Sequence, residues 1–239
     1  MTGSGQNVGA GIARYLARQG ASIAANDIDA ARAEATAAEV AGLGVRSVAA
    51  PFDVTDYASV CAGMRAIEQT LGPIDILVNN AGNAGAEVMV PTQFRESEPE
   101  SWSAPIRVNL CGVLYCCRAV INGMCERGWG RIITISSSAG TTGTDIGVAP
   151  YSAGKGGALS FTRTLAMEVG RQGVTANSLA IGLQTQLDPG VTAFFANTIP
   201  VGRTGTPDDV GAACVWLASN EAAWVTGQTI EINGGSPTT

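Results

Sequence analysis

The chain contains no histidine. That removes Ser-His-Asp triads, histidine metal sites and the commonest general base near neutrality together. Charge is also scarce: charged side chains make up 14% of the 239 residues, and 14 basic against 20 acidic groups leave a net charge of −6. An acidic balance argues against nucleic acid or an anionic membrane as a partner. No apolar stretch reaches the roughly 18 uninterrupted residues of a membrane span, and the N-terminus lacks a basic-then-apolar signal pattern. The expectation is a soluble, cytoplasmic protein. The six cysteines, Cys61, Cys111, Cys116, Cys117, Cys125 and Cys214, include no C-x-x-C pair. With no histidine to complete a zinc site, no metal is expected. The cysteines read as buried thiols in a reducing compartment, with a redox role as the alternative.

What is present is apolar and regularly patterned. A hydrophobic share of 46% over 239 residues is enough for one large core, and residues 1–239 read as a single domain without linker, repeat or low-complexity segment. Runs at Ala21–Asn26, Val45–Ala50, Ile74–Asn79, Arg131–Ser136, Val174–Leu179 and Thr229–Ile232 read as strands. Helical patterns lie between them, near 9–19, 29–43, 55–71, 99–127, 151–172 and 207–219. Alternating β and α runs with continuously apolar strands imply a parallel sheet with helices on both faces. That is a doubly wound α/β fold of three layers.

Proton chemistry without histidine points to Tyr151-Ser-Ala-Gly-Lys155, downstream of the serine run Ser136-Ser137-Ser138. A Tyr and a Lys at this spacing share one face of a helix. An ammonium beside a phenol favours the phenolate and draws its pKa down from about 10. The opening Thr2-Gly3-Ser4-Gly5-Gln6-Asn7-Val8-Gly9 feeds a helical pattern, and such a loop can cradle a pyrophosphate on backbone N–H groups and the helix dipole; a tight turn is the plainer reading. Asp27, about 20 residues on at the end of the next strand, suits an adenosine ribose diol and repels a 2′-phosphate, with a helix cap as its alternative.

Together these residues resemble the short-chain dehydrogenase/reductase family over essentially the whole chain. Asp53 in Phe-Asp-Val-Thr-Asp matches its adenine-contacting aspartate, Asn79-Asn80-Ala81-Gly82 its Asn-Asn-Ala-Gly segment after the fourth strand, and Asn109 in Val-Asn-Leu its catalytic asparagine. Ser137, Tyr151 and Lys155 match the remaining catalytic residues, with Ser136 or Ser138 replacing Ser137 if the strand register slips by one. The resemblance implies a Rossmann fold in which Gly3, Gly5, Asn7, Val8, Gly9, Asp27, Asp53, Val54, Asn80, Ala81, Gly82, Tyr151, Lys155 and Gly182 bind the dinucleotide. It implies Tyr151 as acid/base, Lys155 as its activator, Ser137 as donor to the reacting oxygen and Asn109 as holder of a relay water. With no basic residue in the glycine loop or just after the second strand, NAD is expected over NADP. A homotetramer is expected by resemblance alone.

Three departures stand out. The family places an apolar strand directly before the Thr-Gly of the loop, where this sequence has only Met1, and the expectation is an N-terminal truncation. Asn7 stands where the loop has its middle glycine, a place asparagine tolerates. Ala180-Ile181-Gly182 replaces the usual Pro-Gly, and Thr185 sits one place early as a carboxamide partner. Segment 183–206 falls at the substrate loop, with Leu183, Leu187, Val191, Phe194, Phe195, Ile199 and Val201 suggesting a hydrophobic alcohol or ketone, or an acyl thioester; packing onto the body is the alternative. Arg127 and Arg171 lie one residue from where carrier-protein reductases tend to place arginine, which argues against a carrier protein. The expected activity is NAD-dependent alcohol oxidation or ketone reduction. A non-catalytic dinucleotide-binding protein is the alternative, and epimerisation or dehydration on bound NAD is disfavoured by the chain's length.

Overall fold

The protein is described by a computed structural model, which covers residues 1–83, 89–184 and 189–237. Six strands carry the architecture: β1 Ile23–Ala25, β2 Ser47–Ala49, β3 Ile76–Asn79, β4 Gly130–Ser137, β5 Val174–Ile181 and β6 Thr229–Ile232. Among the described residues eight α-helices accompany them: α1 Asn7–Arg18, α2 Ala30–Ala41, α3 Tyr57–Leu71, α4 Ser103–Ile106, α5 Gly112–Arg127, α6 Ala149–Val169, α7 Pro189–Ala196 and α8 Pro207–Ala218. All strand pairs are parallel, and helices cover both faces.

Strand chemistry explains the layering. β4 and β5 are buried from Gly130 to Ser136 and from Val174 to Ala180, as expected of strands covered on both faces. Successive side chains serve opposite layers: Ile132 joins the core under α3, α5 and α6, whereas Ile133 and Ile135 join the one under α1, α2 and α8. The helices start at caps that the sequence supplies. Asp29 accepts from Arg32 N, Asp56 from Ala58 N, and Thr206 forms a capping box with Asp209 behind Pro207. Gly128, at φ 69°, ends α5 in the left-handed region.

The sheet differs from the expected single one. It has two hydrogen-bonded parts, β1–β2 and β3–β4–β5–β6. Between them run residues 1–4, bonded to both sides: Thr2 N donates to Val78 O at 3.0 Å, Asn26 N to Met1 O at 3.0 Å and Ser4 N to Asn26 O at 2.7 Å. Next to this link a cleft of about 650 Å³, walled by Ile23, Ala24, Met64, Ile67 and Val78 among others, separates the strand edges. Among the described residues no strand pairing crosses the middle of the sheet, and the hydrogen bonds of residues 1–4 bridge it instead.

The expected helix over 99–127 is broken. Pro99–Trp102 is a 3₁₀ turn, α4 follows, and Arg107–Cys111 forms a π-helical turn before α5. This run is long and apolar enough to cross a membrane by length and composition, and α5 packs against α3, α6, β3 and β4. α7 is an element that the sequence pattern did not announce.

Candidate active site

Because the strands run parallel, their C-terminal ends meet along one edge, and a cleft of about 860 Å³ lies across it. Residues from the ends of five strands line it: Asp27 beyond β1, Asp53 beyond β2, Asn80 beyond β3, Ser137 on β4 and Gly182 beyond β5.

The glycine loop is held by its neighbours. Asn80 Nδ2 donates to Gly3 O at 2.7 Å, and the Thr2 hydroxyl accepts from Asn80 N and Ala81 N at 3.0 and 3.2 Å. A Cβ on Gly9 would sit 2.0 Å from Gly3 O and 2.7 Å from Asn80 Nδ2, so no other residue fits there. Asn7 takes φ 52°, the left-handed conformation for which its position otherwise calls on glycine. Gly3, Asn7, Val8 and Gly9 face the cleft where α1 begins, and this tight cradle at a helix N-terminus fits a pyrophosphate. Gly5 does not line the cleft; a Cβ there would meet Arg32 Cβ at 2.5 Å and Asp27 Oδ2 at 2.6 Å.

Asp27 is 7% exposed. Its Oδ2 accepts from Gly5 N and its Oδ1 from Asp29 N, each at 3.1 Å, leaving further lone pairs toward the cleft. Asp53 closes its own turn by accepting from Thr55 N at 2.8 Å, and Val54 lines the cleft beside it. The expectation that nothing basic stands near this end is corrected: Arg32, one turn into α2, lines the cleft with Asp27 and Ile28. Its guanidinium lies 3.4 Å from Asp29.

At the other end lie Ser137, Tyr151 and Lys155. The three serines of the run are separated by their partners. Ser136 Oγ donates to Lys155 O at 3.3 Å and Ser138 Oγ to Glu231 Oε2 at 3.1 Å, whereas Ser137 Oγ accepts from Ala139 N at 3.2 Å and faces the Tyr151 phenol. Tyr151 sits in the first turn of α6, and Lys155, one turn on, is 5% exposed. Lys155 Nζ donates to Ile135 O at 2.7 Å and lies 5.8 Å from the centre of the Tyr151 ring. Burial pushes the Tyr151 phenol above its ordinary value, with the Ser137 hydroxyl acting in the opposite sense, and pulls Lys155 down to about 8. The expected lowering of the tyrosine by its lysine is thus absent here, because the ammonium is turned onto a strand carbonyl and both groups are desolvated.

Asn109 lies in the π-helical turn, a common device for re-aiming one side chain. Its Nδ2 donates to Asn83 O at 2.6 Å and Pro105 O at 2.7 Å, and its buried Oδ1 has no protein partner. That atom faces Gly82: a Cβ there would lie 3.0 Å from Asn109 Oδ1 and 3.1 Å from Lys155 Nζ. An orphaned buried acceptor beside a lysine suits a bound water or ribose hydroxyl.

Gly182 continues the wall, its N–H donating to Ile232 O at 3.0 Å. In the expected substrate loop, Leu183 and Phe195 line the cleft, Ile199 is buried against Gly234, and Phe194 and Val201 point outward. Thr185, Leu187 and the Val191 side chain fall outside the described residues. Sequence reasoning missed Met89, Ile146, Val148 and Pro237 in the wall, which carry no motif. It also missed Asn26, whose Nδ2 ties Ala50 O and Phe52 O beside the loop; a buried amide at a strand end was its only signal. Of the six thiols, three are buried and Cys61, Cys111 and Cys125 are half-buried, a partial correction to the expectation for all six. Among the described residues no cluster could hold a metal ion.

Comparisons with known proteins identify the family and the fold. The family model described as enoyl-(acyl carrier protein) reductase matches residues 3–236. The acetoacetyl-CoA reductase of Shinella zoogloeoides is 39% identical over 245 residues, covering 98% of this chain and 96% of that protein. A gluconate 5-dehydrogenase from Burkholderia cenocepacia J2315, solved with NADP and tartrate, superposes with a TM-score of 0.90 at 35% identity, over 99% of this chain and 94% of that one. A 3-oxoacyl-[acyl-carrier protein] reductase from Brucella melitensis, solved with bound NAD, has a TM-score of 0.90 at 34% identity, over 98% and 88%. The chain belongs to the short-chain dehydrogenase/reductase family of oxidoreductases.

Proposed function

We propose that this protein, acting as one domain over residues 1–239, reduces a ketone or oxidises the corresponding secondary alcohol with NAD(H). The observation that carries the reading is the convergence of the Ser137 hydroxyl and the Tyr151 phenol at one end of the cleft, with Lys155 behind them. A nicotinamide bound there would supply or accept the hydride. Tyr151 gives its proton to the carbonyl oxygen on reduction and takes it back on oxidation. Ser137 donates a hydrogen bond to the same oxygen and stabilises its developing charge. Lys155 supplies positive potential for the phenolate once it releases Ile135 O. Asn109 Oδ1 holds the relay water that returns the proton from solvent.

For the cofactor, the buried Asp27 carboxylate supports NAD, since a 2′-phosphate there would meet its charge. Gly3, Asn7, Val8 and Gly9 would hold the pyrophosphate, Asp53 and Val54 the adenine side, and Asn80, Ala81, Gly82 and Gly182 the path to the nicotinamide. Relatives reduce acetoacetyl-CoA or 5-keto-D-gluconate, by their names. The wall of Met89, Ile146, Val148, Leu183 and Phe195 favours the apolar alternative, a hydrophobic ketone or an acyl thioester. A homotetramer remains our expectation for the assembly, checked by light scattering.

The test is NADH and NADPH oxidation against acetoacetyl-CoA, 5-keto-D-gluconate and apolar methyl ketones. Turnover with NADH, lost by on the order of 100-fold or more in Tyr151→Phe with unchanged NADH affinity, supports the reading. A folded protein that binds NADH and turns over none of the panel, with Tyr151→Phe indistinguishable from wild type, supports a non-catalytic binding role instead.

A further inference from the structure

Glu231 lies on β6, opposite Ala180 of β5, between Ile230 and Ile232, which pack into the core. Its carboxylate therefore leaves the sheet on the face opposite those isoleucines. One oxygen, Oε2, accepts from Ser138 Oγ and from Asn233 Nδ2, each at 3.1 Å. Among the described residues it has no Lys or Arg partner. Its donors are neutral and come from two segments far apart in sequence, so its charge strengthens both bonds.

Both segments are walls of the cleft. Ser138 is the hub of the first: its carbonyl accepts from Thr141 N and Thr142 N at 3.1 and 2.9 Å, and from both threonine hydroxyls at 3.0 Å. The next residue, Ala139, donates to Ser137 Oγ, and Thr142–Ile146 continue along the substrate side. In the second segment Asn233 Nδ2 also donates to Pro237 O at 2.7 Å and Asn233 Oδ1 accepts from Gly235 N at 2.9 Å. Ser236 and Pro237 thereby reach the cleft.

We infer that Glu231 is a positioning residue: its carboxylate clasps the Ser138–Ile146 segment to the C-terminal turn Asn233–Pro237, setting the substrate wall and the bearing of the Ser137 hydroxyl. The inference rests on the ketone-reduction reading above. It assigns Glu231 to substrate recognition rather than to the end of the cleft at Asp27: among the described residues neither segment hydrogen-bonds Asp27 or the glycine loop, and the second meets the proposed dinucleotide path at Gly182, where backbone packing holds it.

The test compares Glu231→Ala, Glu231→Gln, Ser138→Ala and the Ser138→Ala/Glu231→Ala pair with acetoacetyl-CoA and NADH. Glu231→Ala and Ser138→Ala should each raise KM for acetoacetyl-CoA about tenfold and lower kcat by about threefold. NADH affinity should stay within about twofold, and Glu231→Gln, which keeps an acceptor oxygen, should restore most of the loss. The double variant should be no worse than the worse single one, because both remove the same bond. Additive losses, or an NADH affinity that falls in step, overturn the inference. If wild type turns over no ketone, the functional reading has failed, and deuterium uptake then decides the clasp: faster exchange of 138–146 and 233–237 in Glu231→Ala but not Glu231→Gln upholds it, and unchanged uptake overturns it.

Discussion

The ammonium of Lys155 donates to the carbonyl of Ile135 at 2.7 Å, behind the strand that presents Ser137 to the cleft. The lysine is buried with no carboxylate partner among the described residues, and burial lowers its pKa to about 8. Between pH 8 and its ordinary 10.5 the unfolded chain holds a proton that the native one has released, so stability rises with pH through that window. Below pH 8 both states are protonated and the native one carries the burial cost in full. Wild type should therefore gain about 3 kcal/mol of unfolding free energy between pH 7 and 10.5 relative to Lys155→Met. Urea titrations at both pH values measure this; parallel pH dependences would show that the lysine is not desolvated.

Asp27 and Arg32 make the end of the cleft proposed for adenosine a balance of charges rather than a purely acidic site. Asp27→Ser should shift the NADPH-to-NADH affinity ratio toward NADPH by at least about tenfold, since it removes the repulsion and leaves the guanidinium available. Adding Arg32→Ala should cancel most of that shift. Paired fluorescence titrations with the two reduced cofactors read both steps.

Gly9→Ala should abolish measurable NADH binding while preserving the fold, because the added methyl would lie within 2.0 Å of Gly3 O in the cradle itself. A loss of about 100-fold or more in affinity is expected. An unchanged far-ultraviolet circular dichroism spectrum alongside it separates loop closure from unfolding.

Burial pushes the thiols of Cys116 and Cys117 up to about 12 and that of Cys214 higher still. These three should resist iodoacetamide at pH 8 in the native protein, whereas Cys61, Cys111 and Cys125 should label. Mass mapping of labelled peptides gives the pattern, and labelling of Cys214 without denaturant would contradict the packing under α8.

What was legible in the sequence was local. Tyr151 and Lys155 are placed by helical spacing, the glycine loop by its composition, and β6 by its apolar alternation, so each could be read before any packing was known. The π-helical turn around Asn109 was not legible, because Arg107–Cys111 holds no proline or glycine to mark a break, and the turn packs against α4 and α6. The clasp at Glu231 joins Ser138 to a residue 93 positions away, beyond any periodic signal. Arg32 reads as a surface helix residue until β1 and the glycine loop bring Gly5 against its Cβ. The expected lowering of the Tyr151 pKa failed for a related reason: spacing puts the lysine on the right face, but burial decides the sign.

The position of the cleft across the strand ends gives it a mechanical meaning. Asp27, Ile28 and Arg32 ride on the β1–β2 part, while Ser137, Tyr151 and Lys155 ride on the β3–β6 part. A dinucleotide lying along the cleft would be a tie-beam between these two panels of one wall, each anchoring one of its ends. Its two halves, adenosine monophosphate and nicotinamide mononucleotide, would each load only one panel. The intact cofactor should therefore stiffen this protein far more than the two halves supplied together.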